Sequence, residues 1–326
     1  MLISAIIATY NAEKYLSECL ESIAKQDYLD FELVIINDGS TDNSEPLILD
    51  FASKHPEVNI VYKKIPNGGP INARLTGANL AKGEYLCFID ADDYIEPTYF
   101  SKFVNAINEH HPDIICCNYF VNEKDKVIDS KFQNQYLDLD RIKKEIYPYL
   151  FRDIEYRYIR PTVWAKAFKK ELYLPNVCKE DIRIGEDLVV FIPMVLQSQS
   201  MYLIADPLYH YRVVEASMIN AKKPRSYNDP IKIHEILSRA IKGKEDVFGM
   251  QLSRLIAHLS FNCSITQYYV DKPKKEIEQI IKDNLAQPVI AEAIKNADGK
   301  GFKAKMMLKA LKQQKFGLMK LYSKIM

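Results

Sequence analysis

The residues best placed to do chemistry are three carboxylates at the end of one apolar run. In AKGEYLCFIDADDY, which ends at Tyr94, the β-branched, aromatic and apolar content of Glu84 to Ile89 predicts a buried strand, and it runs straight into Asp90, Ala91, Asp92 and Asp93. Alternate side chains of an extended chain share a face, so Asp90 and Asp92 can hold one hard divalent cation between them. Such an ion could neutralise a diphosphate. The alternative for a lone D-x-D is a solvated acidic turn capping the helix that begins near Pro97.

The elements that must position these groups can be read in order. Leu2 to Ala8 is a short apolar strand ending at Thr9, Tyr10 and Asn11, and Lys14 to Lys25 has helical spacing. Phe31 to Ile36 is a second strand, ending in the turn NDGSTD, with a helix over Asn43 to Ala52. Val58 to Lys63 is a third strand, and the loop PNGGP leads into a helix over Ile71 to Ala81. Strand and helix alternating in this way imply a parallel sheet, in which ligands gather beyond the carboxyl ends of the strands. Tyr10, Asp38 and Asp90 each lie just past one such end.

Further along, a helix to His110 and a strand Asp113 to Cys117 continue the pattern, followed by a polar excursion near Glu123 to Gln135. Leu139 to Phe151 reads as a helix, RPTVWAKAF as a short aromatic segment, and Leu188 to Leu196 as an apolar helix after KEDIRIGED. Met201 to Ala205 and Leu208 to Val213 read as two strands. From Asp229 onward the pattern is that of amphipathic helices, which sets a domain boundary near Arg225: 1–224 as an α/β domain, and 225–326 as a helical domain with a basic amphipathic tail. That tail, Gly299 to Met326, has eight lysines and no acid among many apolar residues. It suits either an anionic membrane surface or a helix packed on the protein with a solvated lysine face.

Bulk composition sets limits. A chain of 326 residues, 48% hydrophobic and 27% charged, can bury one large core or two ordinary ones. A net charge of +1 gives no global attraction to nucleic acid. Six cysteines without C-x-x-C pairing read as reduced core thiols of a cytosolic protein. The start, MLISAIIATYN, has no basic leader, and no apolar run approaches the ~20 residues that span a bilayer.

Taken together, IIATYN, LVIINDGSTD, NGGPINARLTGANLAKGEYLCFIDADD and GED resemble a family 2 glycosyltransferase of the GT-A fold, of the bacterial type that builds capsules, lipopolysaccharide and other surface glycans. The likeness is dense from Leu2 to about Pro97 and thinner to about Ser217. It implies a Rossmann-like, mostly parallel central sheet with a C-terminal α-helical region. It also implies an inverting, metal-dependent transfer of a hexose or N-acetylhexosamine from a UDP-sugar to a glycan or lipid-linked glycan. Its nucleotide-sugar site would comprise Ala8, Tyr10, Asp38, Gly68, Arg74, Asp90, Ala91 and Asp92. Tyr10 would lie on the uracil ring and Asp38 would accept from uracil N3–H. Arg74 and the Gly68–Gly69 loop would approach the nucleotide, although Leu75 stands where relatives often have Asn.

Asp92, with Asp90 nearer the ribose, would hold Mn²⁺ or Mg²⁺, with Arg212 a candidate for the diphosphate, while His210 either completes the metal or phosphate environment or is a hydrogen-bonded buried histidine. Asp93 would support the site from behind. The resemblance makes Asp187 the base that deprotonates the acceptor hydroxyl, with Glu186 its competitor; helix N-terminal charge accounts for either carboxylate without catalysis. Trp164, the only tryptophan, either floors the acceptor site or belongs to the core. The chain would work in the cytoplasm, peripheral to the inner face of the plasma membrane if the tail binds there. A catalytically silent UDP-sugar-binding scaffold subunit of a membrane-associated assembly complex is the competing function. A nucleotidyltransferase or a nicotinamide dehydrogenase would need a glycine-rich loop after the first strand, where this chain has ATYNAEKY.

Overall fold

All but one of the strands before Asp90 are covered on both faces, which is why they read as continuous hydrophobic sequence rather than as an alternation. The four strands are β1 (Ile3–Thr9), β2 (Phe31–Asn37), β3 (Asn59–Lys64) and β4 (Tyr85–Asp90), linked by α1 (Leu16–Ala24), α2 (Ser44–Lys54) and α3 (Gly69–Leu80). All four pair in parallel, in the order β3-β2-β1-β4, and β3 is the polar, partly exposed edge. Ile3, Ala5, Ile7, Leu33, Ile35, Cys87 and Ile89 point to one face, into a core with α1, α2 and α4 (Tyr99–His110). The opposite face takes α3, whose Gly77 lies directly over Ile6 and Ile36. The structure is a computed structural model and describes residues 2–121, 133–151, 159–178, 180, 182–214 and 222–325. Most of the polar excursion expected near Glu123 lies outside the described residues.

Beyond β4 the simple alternation gives way. The short β5 (Tyr94–Ile95) is followed by α4, β6 (Ile114–Val121), β7 (Gln135–Asp138), the single turn α5 (Leu139–Arg141), β8 (Lys166–Lys169) and α6 (Lys170–Tyr173); α7 (Glu186–Gln197) and β9 (Ser200–Tyr211) complete the set. β8 inserts between β4 and β6, antiparallel to both, while β6 and β9 are parallel, and β5 and β7 pair antiparallel with β9. The sheet is therefore parallel in its first half and mixed in its second.

Two local expectations change. Leu139 to Phe151 is not one helix: the single turn α5 passes into a wide turn at Ile142–Ile146 and a tight one at Tyr147–Tyr149. Pro148 lacks the N–H that a regular helix needs there, which accounts for the break. Met201 to Val213 is not two strands either, because β9 runs through Pro207. The pairing with β6 slips in register beside Asn118, opposite that proline, and a bulge is where a strand tolerates Pro.

The chain divides into two units. The first, Met1–Ile146, Thr162–Asp181 and Pro193–Val214, contains the whole sheet. The second gathers Tyr147–Pro161, Ile182–Ile192 and Glu215–Met326. Its helices are α8 (Asn228–Ala240), α9 (Glu245–Thr266), α10 (Lys274–Leu285), α11 (Pro288–Asn296), α12 (Phe302–Lys312) and α13 (Phe316–Tyr322). They share a core in which Phe261 and Ile265 of α9 meet Ile277, Ile281, Ile290, Leu308, Leu311 and Met319. The basic tail thus packs one face on its own unit. Among the described residues no helix is long and apolar enough to cross a membrane. The six cysteines are unbridged, and all but Cys178 are buried.

Candidate active site

Three parallel strands end level. Thr9 pairs with Asn37, and Ala8 pairs with both Ile36 and Asp90, so the residues that follow β1, β2 and β4 emerge at one edge of the sheet. Tyr10 stands there 52% exposed, an aromatic face open to a ligand. Asp38 follows β2 with its N–H donating to Thr9 O at 2.8 Å, and its two carboxylate oxygens accept from the Gly68 and Gly69 amides, each at 2.8 Å. One buried carboxylate thereby fixes the loop between β3 and α3. Burial pushes its acid up, while the two amide donors pull it down. The close fit also explains Gly39: at φ +72° it lies against Asn67, and a Cβ would stand 2.9 Å from the Asn67 N.

Arg74 points from α3 to the same edge and donates to Asp90 Oδ1 at 2.8 Å. Asp90, Asp92 and Asp93 each bring a carboxylate oxygen within 4.8 Å of the others. Burial, then the Asp90 charge, pushes Asp92 up to about 6, against the pull of Arg212 and Arg74. Asp93 is driven well above the carboxylate range by burial and by both neighbouring charges. Three acids so close resist full ionisation unless a cation joins them, and hard oxygen donors of this kind suit Mg²⁺ or Mn²⁺. Asp90 and Asp92 would hold that ion, and the ion would supply countercharge for a leaving diphosphate. Asp93 has another task. Its Oδ2 accepts from Tyr209 OH at 2.7 Å and its Oδ1 from Arg212 N at 2.8 Å, while the Tyr209 oxygen accepts from Asp90 N at 3.1 Å. The acidic turn is thus tied to the end of β9.

Three residues that sequence reasoning did not single out belong to this arrangement: Tyr209, Tyr94 and Tyr15. The Arg212 guanidinium lies over the Tyr94 ring at 4.8 Å and the Tyr15 ring at 5.5 Å, and pairs with Glu18 at 2.5 Å. Tyr94 directly follows the acidic triplet, and Tyr209 sits in LYHYR, so their positions in the sequence were the available signal.

His210 does not join the carboxylates. Alternation along β9 turns it away from Tyr209; it pairs with Glu96 at 2.5 Å and stacks between Tyr94 at 4.1 Å and Phe120 at 4.6 Å. Among the described residues the candidate metal group is Asp90, Asp92 and Asp93 without it. Trp164 is 4% exposed, stacked on Tyr209 and Tyr211 with Tyr119 against its edge, and so serves the core rather than an open acceptor floor.

Ala8, Tyr10, Asp38, Gly68, Arg74, Asp90, Ala91 and Asp92 all belong to the first unit, whereas Glu186 and Asp187 belong to the second. They form the first turn of α7, where carboxylates suit the helix dipole. Gly185 before them has φ +91°, and a Cβ there would come within 2.9 Å of Ile233 and 3.0 Å of Leu188. The glycine of G-E-D is therefore favoured by its positive φ, while the nearby atoms are side-chain ends that can shift.

Comparison with known proteins bears on the fold and the family. The Bacillus subtilis (strain 168) uncharacterized glycosyltransferase EpsJ is 26% identical over 301 residues, 89% of this chain and 86% of that protein. The Staphylococcus aureus poly(ribitol-phosphate) β-N-acetylglucosaminyltransferase TarS is 28% identical over 213 residues, 65% of this chain but 35% of its own length. The crystal structure of TarS residues 1–349 with UDP superposes with a TM-score of 0.67 at 21% identity, covering 97% of this chain and 88% of that one, so the GT-A fold is shared. The family model for glycosyl transferase family 2 matches residues 4–173, just over half of the sequence. The chain belongs to that family and is a glycosyltransferase.

Proposed function

We propose that this glycosyltransferase moves a hexose or N-acetylhexosamine from a UDP-sugar, with inversion and with Mn²⁺ or Mg²⁺, to a glycan or lipid-linked glycan acceptor. Its setting is the cytoplasmic synthesis of a surface polysaccharide of the capsule or lipopolysaccharide type. One observation carries the reading: in a family 2 chain, the Asp90, Asp92 and Asp93 oxygens lie within 4.8 Å of one another at the end of a strand that is level with the one preceding the exposed Tyr10. The donor class draws support from TarS, a poly(ribitol-phosphate) β-N-acetylglucosaminyltransferase whose structures hold UDP and UDP-GlcNAc.

In this reading Tyr10 stacks on uracil, and Asp38 accepts N3–H on a lone pair left over from the Gly68 and Gly69 amides. Ala8, Gly68 and Ala91 let the nucleotide approach the backbone. Asp90 and Asp92 hold the cation, and Arg74 keeps Asp90 oriented and balances charge. Asp187, at the start of α7, takes the proton of the acceptor hydroxyl, and Glu186 supplies N-terminal charge; a base in that role contributes about 10²- to 10⁴-fold.

A screen of sugar nucleotides with Mn²⁺, scoring UDP release and glycan product, tests the assignment. Asp92→Ala should weaken UDP binding in metal but not without it. Asp187→Asn should leave binding unchanged and lower transfer at least 100-fold. Equal nucleotide binding by Asp92→Ala and the native chain in Mn²⁺ would refute the metal assignment. Binding of a UDP-sugar with no transfer to any acceptor tried would favour a silent scaffold.

A further inference from the structure

The last two helices turn one face into the core of the second unit and the other to solvent. On α12, Ala304, Leu308 and Leu311 recur at helical spacing and are buried. The outward side carries Phe302, 79% exposed, with Lys305, Met306 and Lys309 three, four and seven positions on. The phenyl ring therefore stands in a row with two exposed ammonium groups. Around α13, Met319 is fully buried, whereas Leu321 and Ile325 are 52% and 73% exposed, with the exposed Lys320 and Lys324 beside them in sequence. From Gly299 to the end of the chain there are eight lysines and no Asp or Glu, and all eight lysines are exposed.

Packing and exposure are thus both satisfied, by opposite faces of the same segment. Three large apolar side chains left in water within a field of one sign fit the boundary of an anionic bilayer, where the rings and alkyl groups enter the acyl margin and the ammonium groups meet the headgroups. A soluble polyanion would use the lysines alone and leave Phe302, Leu321 and Ile325 unexplained. We propose that the outward faces of α12 and α13 dock the enzyme on an anionic membrane surface, with Phe302, Leu321 and Ile325 as the inserted groups. The proposal rests on the function above only for its purpose, access to a lipid-borne acceptor, and docking is measured with neither donor nor acceptor, so either reading can fail alone.

The test is co-sedimentation of the full chain with phosphatidylcholine vesicles, with and without phosphatidylglycerol. Binding should need the anionic lipid and weaken with salt. The combined Phe302→Ser, Leu321→Ser and Ile325→Ser variant should bind about tenfold or more weakly. The Lys305→Gln and Lys309→Gln variant should lose roughly 25-fold, about fivefold for each lysine. All five side chains are exposed, so thermal unfolding should hardly change; if a variant does lose its fold, the salt dependence of the native chain decides. Equal binding to both vesicles, native-like binding by either folded variant, or affinity for heparin with none for vesicles would overturn the proposal.

Discussion

Asp92 occupies a place where burial and the Asp90 charge both oppose ionisation, and its acid is pushed up to about 6. In the metal-free protein the folded state therefore holds this proton more tightly than the unfolded chain, whose carboxyl titrates near 4. The stability associated with that difference is fully present below the unfolded value and is lost as pH rises through about 6. A divalent cation reverses the balance because it binds the ionised form. Mn²⁺ should accordingly raise the unfolding temperature clearly at pH 7.5 and only slightly at pH 5, by scanning fluorimetry; an equal rise at both would mean that the ion binds elsewhere. Tyr209 offers a second reading of the same turn, since its hydroxyl donates to Asp93 and accepts from the Asp90 N–H. Tyr209→Phe removes a partner of the buried Asp93 carboxylate and of the partly buried Asp90 N–H and should cost about 1–3 kcal/mol in urea unfolding. It should also weaken UDP binding in Mn²⁺ more than in chelator, whereas a purely structural tyrosine would alter both equally.

At the level of elements, α3 carries Arg74 and is held close to the sheet by Gly77, where a Cβ would stand 2.6 Å from Ile6 Cγ2 and 3.3 Å from Ile36 Cγ1. Gly77→Ala should destabilise the chain by about 1–3 kcal/mol through overpacking, in spite of the roughly 1 kcal/mol that alanine returns in helix propensity. Gly249 in α9 has nothing within 4 Å of a built Cβ, so the same substitution there should stabilise by up to about 1 kcal/mol. Thermal unfolding of the two variants should shift in opposite directions. The contrast also marks what the sequence made legible. Strands, helices and the acidic turn were readable because apolar period, turn residues and adjacent carboxylates are local signals: the helix expected over Leu188 to Leu196 lies within α7, and Asp90 ends the strand expected. The insertion of β8 between β4 and β6, and the Tyr209–Asp93 bond across 116 positions, were not, because no local pattern records which distant segment returns to an edge. Asp38 illustrates the boundary: its place after a strand was evident, but its grip on Gly68 and Gly69 depends on a loop 30 residues away.

Across the whole chain the proposed roles divide between the two units: every residue assigned to donor and cation lies in the first, and the residue assigned as base lies in the second. The second unit draws part of its core from the tail. Leu308, Leu311 and Met319 are buried there, the Tyr322 ring meets the edge of Phe261 at 5.4 Å, and Tyr268 OH donates to Phe316 O at 3.3 Å. Each buried leucine is worth about 2–5 kcal/mol against its loss, so a chain ending at Asp298 forfeits enough to open that core. Such a truncation should strip amide exchange protection from α9 while β1 and β4 keep theirs. UDP binding in Mn²⁺ should then stay within about threefold of the native value, a shift below 1 kcal/mol, and sugar transfer should disappear. Loss of both together would mean that donor binding needs the second unit as well, and the assignment of the nucleotide site to the sheet edge would have to be redrawn. Retention of transfer would instead remove Asp187 and its helix from the chemistry.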